Sequence, residues 1–417
     1  MKRKNITILT GIMLVFTLLS ACGKSEEALM TEPTIESSTE VVSEAASTEV
    51  SVVEKVDTES IIEDALNEGR GYYYALDGKE QDYDKAMAAF KKAAEYDNAD
   101  AYYYIGRIYD LKEDYGNALT NYEQAVELGN ELSKLPLSFL YMNANGVDED
   151  FAKAKELLDT SIESGCIDSN YGLAVLYRYG LGVDEDLTKA VECYELASTG
   201  TESEWVSSAY NELGMMYGDG EGVEKDTVKA IEYFEKANIG NSYYNIGWIY
   251  AYGTEYGIET DYEKAITYFE KAAEMGYSAG YNSLGYMYEH GMGVEADYEK
   301  AIDYFNKGIE LNDASACANL AYIYTQGDGV DINYEKAISL YQKAGELGNP
   351  EGYKHLAMFY IDGNGVEVDN DKACEYFAKA AALGDHDAID SIQNMINDGL
   401  VTVDYANELM EKYQVKQ

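Results

Sequence analysis

After residue 59 the apolar residues recur three and four positions apart, the spacing that lines one face of an α-helix. One alanine keeps the register. It stands at Ala86, Ala118, Ala154, Ala190, Ala230, Ala265, Ala301, Ala337 and Ala373, at intervals of 32, 36, 36, 40, 35, 36, 36 and 36 residues. A large residue follows at +4 and a small one at +7, as in Ala265/Phe269/Ala272, Ala301/Phe305/Gly308 and Ala337/Tyr341/Ala344. Small and large side chains alternating on one face let a neighbouring helix come close and be filled by a ring. Four residues before each alanine stands Asp82, Asp114, Asp150, Asp186, Asp226, Asp261, Asp297, Asn333 or Asp369. A carboxylate or amide oxygen there accepts the orphan N–H groups of a helix start, and negative charge suits the dipole. Each therefore opens a helix, here called helix B.

A second series lies upstream. Ile105-Gly106…Tyr109, Leu213-Gly214…Tyr217, Ile246-Gly247…Tyr250, Leu284-Gly285…Tyr288, Leu320-Ala321…Tyr324 and Leu356-Ala357…Tyr360 mark helix A. Glycine turns join A to B at Gly182-Val183, Gly222-Val223, Gly293-Val294, Gly329-Val330 and Gly365-Val366. Gly291 and Gly327 fall three residues after the helix-A tyrosine, where a left-handed C-cap belongs. Helix, glycine turn and capped helix in about nine copies of a 36-residue period predict an all-α chain built as an α-solenoid.

The Leu-Gly-x-x-Tyr, Gly-x-Gly-Val, Asp-x-x-Lys-Ala and aromatic-x-x-Ala series resembles the Sel-one-like (SEL-like) repeat, a relative of the tetratricopeptide repeat. The resemblance covers roughly residues 67–384. It implies a right-handed solenoid and a role in protein–protein interaction rather than chemistry of its own. Some copies depart from the pattern. The second lacks the Gly-x-Gly turn and is closer to a plain tetratricopeptide unit. Pro136 is expected to interrupt helix A of the third, and Thr199–Glu204 lengthens the approach to the fifth. The first keeps only Gly71 and Tyr74. Solenoid is thus expected over 59–384, with 385–417 as a C-terminal capping helical pair.

The N-terminus reads differently. Lys2, Arg3 and Lys4 precede an apolar run from Ile6 to Leu19, ending in Leu19-Ser20-Ala21-Cys22. A basic tip, a short apolar core and small residues at its end describe a secretory signal. The cysteine after Leu-Ser-Ala resembles a bacterial lipoprotein signal. That implies removal of 1–21, lipidation of Cys22, and a lipid-anchored protein on the outer face of the cell membrane, or at the outer membrane of a two-membrane cell. Gly23 after the anchor carries no inner-membrane retention signal. Residues 22–58 are expected to be the lipidated cysteine and a disordered acidic tether. Gly23–Thr58 has nine acidic groups, two lysines and no aromatic residue, too little apolar surface to offset ordering entropy. Its reach is about 30–36 Å.

Charge narrows the partners. The formal charge is −46; losing three N-terminal cations gives −49, and the tether's −7 leaves −42 on 59–417. Such a chain repels nucleic acid and anionic headgroups and favours a partner with a basic segment. Candidate chemistry is sparse. His290, His355 and His386 are dispersed, and no P-loop, Gly-x-Ser-x-Gly elbow or His-Glu-x-x-His motif occurs. Asp362-Gly363-Asn364-Gly365 lacks the frame of a calcium loop. We therefore expect no catalytic residue, no metal and no cofactor. Cysteine-rich relatives linked to β-lactams have regular cysteines that are missing here. Cys193, Cys317 and Cys374 fall at packing positions, which predicts buried thiols. Were a disulfide to form, Cys166–Cys193 would be the pair.

One residue past the small residue of helix A runs a stripe of Arg107, Phe139, Val175, Met215, Trp248, Tyr286, Tyr322 and Met358. In the related tetratricopeptide repeats this position faces the concave groove. Phe139, Met215, Trp248, Tyr286, Tyr322 and Met358 are accordingly the candidate partner-binding residues, although packing between successive helices A would need the same residue types. The 41 tyrosines, among them Tyr102–Tyr104, Tyr243, Tyr244, Tyr252 and Tyr256, leave cell-wall glycan binding as the alternative.

Overall fold

The computed structural model describes residues 48–200 and 203–415. Its described residues form α-helices and short 3-10 turns and contain no strand. The chain divides into two compact units, one ending at Ala237 and one starting at Asn238.

In the first unit, five A/B pairs follow in order. They are α1 (Thr48–Tyr73) with α2 (Tyr83–Ala94), α3 (Ala99–Leu111) with α4 (Tyr115–Glu127), α5 (Lys134–Asn143) with α6 (Phe151–Glu163), α7 (Asn170–Tyr179) with α8 (Leu187–Ala197), and α9 (Ser203–Asp219) with α10 (Thr227–Ala237). The second unit holds α11 (Gly240–Ala251) with α12 (Tyr262–Glu274), α13 (Ser278–His290) with α14 (Tyr298–Glu310), α15 (Ala314–Gln326) with α16 (Tyr334–Glu346), and α17 (Pro350–Asp362) with α18 (Asn370–Ala382). The closing helices α19 (His386–Asn397) and α20 (Val403–Lys412) bury Ile392, Met395 and Leu409 against Phe377 and its neighbours.

The repeat signature has a mechanical reading. All nine cap residues, Asp82 to Asp369, accept a backbone N–H of the following helix through their side chains. Each also donates its own backbone N–H to the carbonyl of the helix-A tyrosine, at 2.8–3.1 Å. The lysine of Asp-x-x-Lys lies over that tyrosine ring in seven repeats, as Lys264 does over Tyr250 at 4.8 Å. One Asp–Lys–Tyr cluster thus fixes the angle between the two helices of a repeat.

The aromatic ring at +4 explains the helix-A glycine. A Cβ on Gly69, Gly106, Gly214, Gly247 or Gly285 would come within 2.5–2.7 Å of Phe90, Tyr122, Phe234, Phe269 or Phe305. Each of those rings is buried against its repeat's own glycine. The second glycine of the turn serves the next contact along. A Cβ at Gly293 would sit 2.5 Å from Cβ of Tyr262, the first residue of the preceding helix B. Gly291 and Gly327 are left-handed C-caps, with φ of 65° and 79°.

Three expectations need correction. In the first repeat the glycine and tyrosine are Gly69 and Tyr72, not Gly71 and Tyr74: Gly69 meets Phe90, and Tyr72 accepts from Asp82. Pro136 does not interrupt its helix. It lies in the first turn of α5, where a missing N–H removes no intrahelical bond, and a 3-10 turn at Glu131–Ser133 leads into it. Helix α1 begins at Thr48, inside the stretch expected to be a tether. The packed Ala65 and Leu66 nucleate a helix that then extends backward through a run free of Gly and Pro, because propagation is far easier than nucleation. Residues 1–47 lie outside the described residues, and with them the signal segment and Cys22.

Candidate protein-binding face

The stripe one residue beyond the small residue of helix A changes character along the chain. In the first unit Arg107, Phe139 and Val175 are buried, and Met215 is half-buried. In the second, Trp248 and Tyr286 are half-buried, while Tyr322 and Met358 are 45% and 46% exposed.

A segment of the chain itself covers the first part. Helix α9 has 17 residues where α5 and α7 have 10 each, and its extra turn carries Glu204 and Trp205. The Glu204 carboxylate accepts from Arg107 Nη2 at 2.6 Å, and Arg107 Nη1 donates to the Tyr103 hydroxyl at 3.0 Å. The Trp205 ring stacks on Phe139, with centroids 5.6 Å apart and planes 13° apart, and lies 5.3 Å from Tyr171. Phe139, expected to face a partner, is therefore a core residue held by the protein's own tryptophan, 6% exposed. Two signals pointed here. The interval from Ala190 to Ala230 is 40 residues rather than 36, and one of the chain's two tryptophans stands at the end of the insertion.

In the second unit the half-buried rings lean on their own helices. Trp248 stacks on Tyr252 at 5.2 Å, four residues along, and Tyr286 stacks on His290 at 4.2 Å. Tyr322 and Met358 continue the line on α15 and α17. Polar links run beside it: Asn319 donates to Asn282 at 2.8 Å, and Lys354 reaches Asp385 at 3.2 Å. His355 stacks on the buried Tyr341 ring at 4.6 Å, and burial lowers its pKa.

The tyrosines that suggested sugar stacking are largely paired with other rings. Tyr104 stacks on Phe90 at 4.6 Å, Tyr243 on Tyr268 at 6.1 Å, and Tyr250 on Tyr268 at 5.7 Å. Lys271 caps Tyr268 at 4.7 Å. Cys166, Cys193, Cys317 and Cys374 are free thiols, so the Cys166–Cys193 bond is not formed. Burial pushes the Cys193 and Cys374 thiols up to about 11. Among the described residues no group of three His, Cys, Asp or Glu side chains is placed to hold a metal ion, and no helix is long and apolar enough to cross a membrane.

The Sel1 repeat model matches residues 69–97, 137–166, 167–200, 207–238, 240–277, 278–313, 314–349 and 350–385. The chain belongs to the Sel1-repeat family. The second repeat, read from sequence as closer to a plain tetratricopeptide unit, matches the tetratricopeptide repeat model over 99–129. A Sel1 repeat protein from Oxalobacter formigenes is similar in structure, with a TM-score of 0.51 and 24% identity, covering 74% of this chain and 90% of that one. A protective antigen of uropathogenic Escherichia coli with an SLR fold aligns at 24% identity over 87% of this chain and 85% of its own, with a TM-score of 0.42. Cysteine rich protein B of Helicobacter pylori is 32% identical over 31% of this chain and 94% of its own, with a TM-score of 0.25. No curated protein matches the chain. Sel1 and tetratricopeptide repeat proteins are generally non-catalytic scaffolds for protein–protein interaction.

Proposed function

We propose that this Sel1-repeat protein is a non-catalytic scaffold of the bacterial cell envelope. It is exported, anchored by lipid on Cys22, and binds a partner protein or peptide across the helix-A stripe of its second unit. The observation that carries this is the exposure of Tyr322 and Met358 in register with the half-buried Trp248 and Tyr286. Large side chains presented at a fixed repeat spacing suit an extended peptide or a helix laid across them. Single exposed apolar residues are ordinary; their common register is what singles these out. The −42 charge of residues 59–417 favours a partner with a basic segment and an association that weakens with salt. The membrane is reached only through the lipid, and nucleic acid is not a partner. The pairing of tyrosine rings with one another supports a protein partner over a cell-wall glycan.

The test uses the chain from Thr48 onward, immobilised and exposed to a detergent extract of the native envelope. Its companion bait carries Tyr322→Ala and Met358→Ala, two exposed positions whose loss leaves the core intact. A dominant protein that elutes with moderate salt and is lost on the double variant is the expected outcome. Retention of purified cell-wall polymer with no protein would transfer the role to glycan binding. Cys22→Ala together with fatty-acid labelling tests the anchor: label that persists on the variant sinks it.

A further inference from the structure

The Glu204–Trp205 turn lies outside the repeat plan. Helices α3, α5 and α7 of the first unit pair with their neighbours without such an extension, and α9 from Tyr210 onward already supplies contacts of the fifth repeat, with Tyr210 on Tyr233 and Gly214 against Phe234. The extra turn instead reaches back to the second, third and fourth repeats. Arg107 and Glu204 are 97 residues apart in the chain. In repeat arrays contacts run between adjacent units, so an element of the fifth repeat seated on the second is an addition to the scaffold.

The seat is specific. Arg107 is the charged member of an otherwise apolar stripe. It is 5% exposed, held by the Tyr103 hydroxyl and aimed at the Glu204 carboxylate. Beside it Phe139 and Tyr171 make an aromatic slot filled by one indole ring. A buried guanidinium needs a carboxylate partner, and a slot of two rings needs a flat apolar side chain. Adjacent acidic and aromatic residues at the start of a helix satisfy both.

We propose that repeats two to four form a recognition groove for a helix that begins with a glutamate–aromatic pair, and that Glu204–Trp205 occupies it as an internal ligand. A partner bearing the same pair docks there by displacing the α9 start. The partner competes against a tethered segment, whose effective concentration is on the order of millimolar. The intact protein therefore holds such a partner weakly, and anything that draws the α9 start away exposes a high-affinity groove. This site is separate from the stripe of the second unit.

The probe is a fluorescein-labelled peptide of residues 199–213, followed by anisotropy against the full chain. Wild type is expected to leave it unbound at about 100 µM, because the groove is filled by a tethered competitor. The variant Glu204→Ala/Trp205→Ala is expected to bind it at least tenfold more tightly than wild type, and adding Arg107→Ala should abolish the gain. A variant that is helical by circular dichroism yet shows no gain overturns the proposal. Should the variant fail to fold, hydrogen exchange on the wild-type chain decides. The amides of residues 207–209, past the first turn of α9, are expected to exchange at least threefold faster with excess unlabelled peptide than without it, while those of Leu213–Tyr217 do not change. Exchange of residues 207–209 unmoved by peptide would make the segment ordinary core and overturn the proposal.

Discussion

Gly285→Ala puts the packing rule of the repeat to a direct test. A Cβ at Gly285 would stand 2.5 Å from Cε1, 2.6 Å from Cδ1 and 2.9 Å from Cζ of Phe305. Non-bonded carbons rest at about 3.5–4.0 Å, so ring and helix must part by about 1 Å. Phe305 is fully buried, and overpacking of such a core costs about 1–3 kcal/mol. Alanine in a helix interior offsets about 1 kcal/mol of that relative to glycine. The net expectation is a loss of up to about 2 kcal/mol. In a Phe305→Ala background, itself about 3–5 kcal/mol less stable, the clash is gone and only the helix propensity remains. There Gly285→Ala should stabilise by about 1 kcal/mol, giving a coupling of about 1–3 kcal/mol. The chain contains its own control, since Ala321 and Ala357 replace the glycine beside Tyr341 and Phe377. Urea titration followed by circular dichroism, read as a midpoint shift at unchanged slope, measures all four corners of the cycle. If Gly285→Ala shifts stability by the same amount and sign in both backgrounds, the glycine is not there to admit the ring.

Three further outcomes are expected. Asp110 lies half-buried in the last turn of α3, accepting from the Tyr122 hydroxyl at 3.3 Å, and burial pushes its carboxyl up to about 6 against the pull of Arg107. The folded state therefore holds the proton more tightly than the unfolded chain, and this residue costs stability as pH rises from about 4 to about 6. Asp110→Asn should be more stable at pH 7 by about 1–3 kcal/mol and equal to wild type below pH of about 4; a gain that does not depend on pH would rule out titration as the cause. Ala144 holds a left-handed C-cap at φ 56° where most repeats place glycine, so Ala144→Gly should raise stability by about 1 kcal/mol, and a lower denaturation midpoint would contradict this. Among Cys166, Cys193, Cys317 and Cys374, a disulfide reagent at pH 8 should modify the half-buried Cys166 first; the other three are buried, and burial raises their thiol pKa values. Equal rates at all four would mean the helices open far more readily than their packing implies.

Much of the architecture follows from the order of residues, because it is built from contacts within one repeat or between neighbours. The aspartate or asparagine four residues before the register alanine caps helix B in each repeat, and a ring four residues after that alanine needs a glycine or alanine facing it. Both rules act over about forty residues, so the period, the helix boundaries and the Asp–Lys–Tyr cluster are written locally. The first repeat shows the limit. Gly69 and Gly71 stand two apart, as do Tyr72 and Tyr74, and only the ring of Phe90 and the amide of Asp82 select the earlier pair. The stripe was legible as a set of positions. Its division into a buried and an exposed half was not. Whether Phe139 is core depends on an ion pair and a ring stack made by an inserted turn, with Glu204 lying 97 residues from Arg107. Periodicity carries no information about such a contact, since it breaks the repeat instead of obeying it. Tertiary packing decides which residues of the stripe are buried and which stay exposed.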